Sequence, residues 1–68
     1  MTKKEAIEKV ELIRKMGAFD EGAHIEEDKL YLKFIECISN GVYKIEQARE
    51  IANIIKKTQD FDLYRFYG

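Results

Sequence analysis

The 68-residue sequence contains no proline, and its apolar residues fall into three stripes at helical spacing. Thr2 and Glu5 form a capping box, and Gly17 favours a helix end, so a first helix is predicted over about 3–16. The apolar stripe of this helix comprises Ile7, Val10, Ile13 and Met16.

A second helix is predicted over about 21–39, because Asp20 is a favourable N-cap and Asn40-Gly41 supplies a left-handed exit. At about 100° per residue, one side of this helix collects six apolar or weakly polar residues. They are Ala23, Leu30, Tyr31, Phe34, Cys37 and Ile38. Glu27 projects into the middle of this stripe, and His24 lies at its edge with Asp28.

A third helix is predicted over about 45–57, with Ile54 on its flank as an exposed apolar residue. Its apolar face comprises Ile45, Ala48, Ile51, Ala52 and Ile55. Asp60 is expected to cap a last short turn, and four of the eight aromatic residues lie in 61–67. The prediction is an all-α protein, a small three-helix bundle of one domain (1–68), with a short C-terminal helical and aromatic tail packed on it.

Composition narrows the functional classes. Cys37 is the single cysteine, so neither an internal disulfide nor a zinc-type Cys/His set is available. The sequence shows neither a signal peptide nor a membrane-spanning run, which leads us to expect a cytoplasmic protein without membrane contact. The net charge of −1 does not favour nucleic-acid binding. Five acidic residues against one basic residue make 20–29 an acidic segment, and basic segments flank it on both sides.

The acidic segment contains the only histidine. On a helix, His24, Glu27 and Asp28 fall within one turn, so an imidazole and two carboxylates share a face. Such a group is compatible with a metal site or an acid–base pair. Metal sites usually use three or more ligands and a supporting shell, whereas this His-x-x-Glu occurs once. We therefore expect a structural polar network, no cofactor and no enzymatic activity, with the metal or acid–base site as the alternative.

Glu27 needs a cation or a hydrogen-bond donor if it is buried, because an unpaired buried carboxylate is costly. Arg14, Arg49 and Arg65 are the candidate partners. We hypothesise that the acidic cluster docks the C-terminal segment through Arg65, which lies among four aromatic residues.

Two groups of residues resemble a group of short uncharacterised proteins of bacterial and bacteriophage genomes. These residues are Ala23-His24, Glu27-Asp28 and Leu30 in the second helix, and Thr58-Gln59-Asp60-Phe61 with Arg65 in the tail. The similarity spans about 18–67, and Phe66 stands where that group has tryptophan. The resemblance implies a small intracellular, phage-encoded protein and no particular activity.

The sequence as a whole favours a protein-binding module, and the resemblance suggests a host-directed modulator. The residues expected to contact the partner are Glu21, His24, Glu26, Glu27, Asp28, Tyr31, Tyr64 and Arg65. Another protein is the expected partner, and a homodimer is compatible with the spare apolar residues. A DNA-mimic or other nucleic-acid-related module is a further alternative, in view of the acidic segment.

Overall fold

The computed structural model describes residues 1–17 and 20–61, which contain three α-helices. These are α1 (Lys3–Met16), α2 (Glu21–Ser39) and α3 (Ile45–Ile55), and a short 3₁₀ helix (Lys56–Asp60) follows α3. No strand is found in these residues, so the predicted all-α three-helix bundle is confirmed. The predicted tail beyond residue 61, with Tyr64 and Arg65, lies outside the described residues.

The helix ends follow the capping chemistry of the sequence. The Thr2 hydroxyl oxygen accepts a hydrogen bond from the Glu5 amide at 3.1 Å, and the Asp20 carboxylate accepts one from the Gly22 amide at 2.8 Å. Gly41 has φ 70°, and its amide donates to the Ile38 carbonyl oxygen at 3.0 Å. This left-handed residue ends α2 where the sequence predicted.

α1 contacts both other helices extensively, while α2 and α3 contact each other much less. Lys33 Nζ, late in α2, lies 4.0 Å from the carboxylate of Glu5, early in α1, which indicates that α1 and α2 run antiparallel. The buried apolar residues come from all three helices and are Ala6, Val10, Ile13, Ala23, Leu30, Ile51, Ile54 and Ile55. The core therefore lies along both sides of α1.

Several predicted positions differ in the structure. Ile54 is only 9% exposed, whereas Ile45 is 76% exposed, so the predictions for both residues were wrong. α3 turns Ile51, Ile54 and Ile55 inward, and this places Ile45 on an outer flank. Ile7 and Ile38 are also exposed although they were assigned to apolar stripes. In α1 the buried face includes Ala6 in place of Ile7, and in α2 Ile38 lies beyond the last buried residue, Leu30.

The region after α3 also differs from the prediction. The α-helix ends at Ile55 rather than near residue 57, and the chain tightens into the 3₁₀ helix. Asp60 is the last residue of that 3₁₀ helix. Thr58, in the same helix, is fully buried, so this segment is part of the packed structure and positions the residues that face α2.

Candidate functional site on helix α2

The predicted site residues on α2 divide between two faces of the helix. Glu27 lies inside, with 3% of its surface exposed, and Tyr31 is half-buried beside it. Glu21 and Asp28 lie on the exposed side. Glu27 and Asp28 are consecutive in the sequence, and the rotation of about 100° per residue along a helix places them in different environments. The acidic segment is therefore not a single acidic surface.

The inner face holds a polar network between α2 and the 3₁₀ helix. The Gln59 amide nitrogen donates to a Glu27 carboxylate oxygen at 3.3 Å and also lies 3.3 Å from the Tyr31 hydroxyl. The Tyr31 and Thr58 hydroxyl oxygens are 3.3 Å apart, and Tyr31 donates to the Ile55 carbonyl oxygen at 3.5 Å. These bonds satisfy polar groups in a buried region, which is the role expected for such a network.

The histidine is placed as the helical spacing predicted. His24 Nδ1 lies 3.4 Å from a carboxylate oxygen of Asp28, one turn along α2, and the imidazole is largely buried. Within residues 1–17 and 20–61, no three His, Cys, Asp or Glu side chains are grouped closely enough to hold a metal ion. His24, Glu27 and Asp28 are all among the described residues, so the predicted metal alternative has no geometric support.

Two open cavities lie on either side of Met1. One, of about 150 Å³, is lined by charged residues of α1 and α2 that include Glu5, Glu26 and Lys29. The other, of about 310 Å³, lies beside Tyr43 and Glu50. Neither cavity is lined by the predicted acid–base residues. These two cavities therefore lie apart from His24.

Arg14, a predicted partner of Glu27, and Glu26, a predicted contact residue for another protein, both make contacts within their own helices. Arg14, expected near Glu27, donates instead to Glu11 at 2.8 Å, and this hydrogen bond lowers the pKa of Glu11 and raises that of Arg14. Glu26 lies 3.6 Å from Lys29, its neighbour one turn along α2. The docking contact predicted for Arg65 lies outside the described residues. Glu26 also lines the cavity between α1 and α2, on a different flank of α2 from Glu21 and Asp28.

The outer face of α2 carries a feature that the sequence analysis missed. Its exposed residues form an outer stripe made of Glu21, Ile25, Asp28, Leu32, Ile35 and Ser39. Leu32 and Ile35 are 57% and 59% exposed, so this face packs against neither α1 nor α3. The intervals alternate between four and three residues, the spacing by which helices pair in coiled coils. The same spacing is present in the sequence, but the apolar stripe on the other side of α2 was the one assigned to packing.

No described helix combines the length and the apolar character that a membrane crossing requires. Comparisons with protein-family models, with curated proteins and with solved structures gave no match for this chain.

Proposed function

We propose that this chain is a protein-binding module whose contact surface is the outer stripe of α2. The observation that carries the proposal is the exposure of Ile25, Leu32 and Ile35 along one line of a helix whose opposite face is packed in the core. Isolated exposed apolar residues are ordinary, but an aligned row of them is typical of an interaction surface.

The acidic residues of the stripe refine the proposed contact. Glu21 and Asp28 alternate with the apolar residues, so a partner would meet apolar and anionic groups together. Glu27, His24 and Tyr31 have a different role in this proposal, because their burial suits them to hold α2 in place. Of the residues predicted from the sequence, Glu21 and Asp28 are thus retained as direct contacts. Ile25, Leu32 and Ile35 are added.

The nucleic-acid alternative is less well supported by these contacts. A DNA mimic presents a dense anionic surface, whereas half of the outer stripe is aliphatic. An apolar row with interspersed charges suits a protein partner better, since apolar anchors supply most of the affinity in protein interfaces.

The proposal predicts that Leu32→Lys/Ile35→Lys abolishes partner capture. The tagged protein would be used to capture partners from a lysate of its natural cell, to which an untagged copy of the chain is added. Bound proteins would be quantified by mass spectrometry. A protein held in stoichiometric amount by the unaltered chain should fall at least about tenfold with the double variant, because two apolar anchors become charged. Glu21→Lys/Asp28→Lys should weaken capture as well.

The matched control is Ile7→Lys/Leu12→Lys on α1, since both residues are 45% exposed and lie outside the outer stripe. Urea unfolding of all variants checks that the fold is kept. Equal capture by the unaltered chain and the α2 variant would contradict the proposed surface. Loss with the α1 variant alone would move the surface to α1.

A further inference from the structure

We propose that the occupant of the outer stripe is a second copy of this chain, paired through antiparallel α2 helices. This inference rests on the proposed function, because it assigns a partner to the same surface. In heptad terms, Ile25 and Leu32 occupy one core position of the coiled coil, and Asp28 and Ile35 occupy the other. The same phase continues to Ser39, the last residue of α2.

One antiparallel register brings the apolar positions of two copies together. When Leu32 faces Ile35 of the second copy, the two-fold axis repeats the contact, so the centre of the interface contains four aliphatic side chains. One layer outward, Asp28 faces Ser39, whose hydroxyl can donate to the carboxylate. Leu32 and Ile35, the central aliphatic residues of the outer stripe, therefore have apolar partners in this register.

The positions that flank the stripe are complementary in the same register. On one side, Lys29 of each copy falls beside Glu36 of the other, so the symmetry produces two opposite-charge pairs. Both side chains are exposed, and at about 100° per residue their positions flank the outer stripe. On the other side, half-buried Tyr31 falls beside exposed Ile38 of the second copy. The exposure of Ile38 is then explained by the second copy, which would cover it.

Charge also selects the antiparallel orientation. Parallel α2 helices would place Asp28 directly opposite Asp28 of the second copy, within the apolar row, because equivalent positions face each other in a parallel pair. Two like charges at such a layer are unfavourable. The antiparallel register separates these carboxylates and pairs each with a hydroxyl group. With only about two heptads in contact, the interface is at the small end of the known range, and micromolar self-association is expected.

The test is a charge-swap experiment read by sedimentation equilibrium from micromolar to millimolar protein. The unaltered chain should reach a monomer–dimer equilibrium. Lys29→Glu makes both flanking positions acidic, and Glu36→Lys makes both basic, so each variant alone should dimerise about tenfold more weakly. An equimolar mixture of the two variants should restore the dimer, because opposite charges then face each other in both pairs. Both positions are exposed, so neither variant should disturb the fold.

Three results would overturn the pairing. They are a monomer at every concentration, a dimer that survives Leu32→Lys/Ile35→Lys, and a mixture of the charge variants that behaves like its components. None of these results decides the proposed function, because capture of a different protein on the outer stripe is measured separately. If capture also fails, the proposed function fails as well.

Discussion

Tyr43 connects three parts of the chain at the start of α3. Its ring centroid lies 5.8 Å from that of Phe34 in α2, and its hydroxyl donates to the Met1 carbonyl oxygen at 2.8 Å. Burial raises the pKa of Tyr43 to about 12, because the phenolate is poorly solvated there, and the nearby Cys37 and Glu5 add to the effect. A raised pKa of this kind makes the free energy of unfolding depend on pH in the alkaline range.

The prediction is a loss of stability as pH rises from about 10, the ordinary tyrosine pKa, to about 12. In this window the unfolded chain releases the Tyr43 proton while the folded chain retains it, so ionisation favours the unfolded state. The stabilisation is complete below pH 10 and is lost as pH passes through the folded pKa. Urea unfolding from pH 8 to 12 should show a steeper decline for the unaltered chain than for Tyr43→Phe. Parallel declines would contradict the assignment, since the other titrating groups are common to both proteins.

For α3, the periodicity of the apolar residues predicts the helix but not which of its faces is buried. Its position and start were predicted, because apolar spacing is a local property of the sequence. Its rotation was not, because Ile45, Ile51, Ile54 and Ile55 allow more than one apolar face. Which face is buried depends on α1, and a non-local contact of this kind does not appear in helical spacing. The same ambiguity hid the outer stripe of α2, whose inner face had the more continuous apolar row.

The rotation of α3 predicts very different costs for two isoleucine truncations. Ile54→Ala should lower the free energy of unfolding by about 2–3 kcal/mol, because it removes buried methylene groups and leaves a cavity. Ile45→Ala should change it by less than about 0.5 kcal/mol, because its side chain is mostly in solvent. Chemical denaturation of both variants measures the difference directly. Similar losses at the two positions would favour the rotation inferred from the sequence alone.

In the molecule as a whole, α1 supplies contacts to both other helices, and the direct contact between α2 and α3 is small. The hydrogen bonds of Tyr31 add a further connection, because they join the middle of α2 to the end of α3 and to the 3₁₀ helix. The sequence predicted the inward position of Glu27 and the His24–Asp28 spacing, both of which are properties of one helix. It could not predict Gln59 as a neighbour of Glu27 or Thr58 as a neighbour of Tyr31, because those contacts arise only when the 3₁₀ helix packs on α2.

This arrangement predicts that Tyr31 and Thr58 are energetically coupled across the bundle. Thr58→Val preserves the side-chain shape and removes the hydroxyl group, and Tyr31→Phe removes the other, so each should cost about 1 kcal/mol of unfolding free energy. In the double variant the shared bond is lost only once, and the total should fall short of the sum by at least about 0.5 kcal/mol. Urea unfolding of the four proteins of the cycle provides the measurement.

Tyr31→Phe combined with Thr2→Ala is the control, because the Thr2 hydroxyl caps α1 and shares no hydrogen bond with Tyr31. That pair should be additive. Additivity of the Tyr31 and Thr58 variants would show instead that the contact between their hydroxyl groups does not help to hold α2 against the 3₁₀ helix.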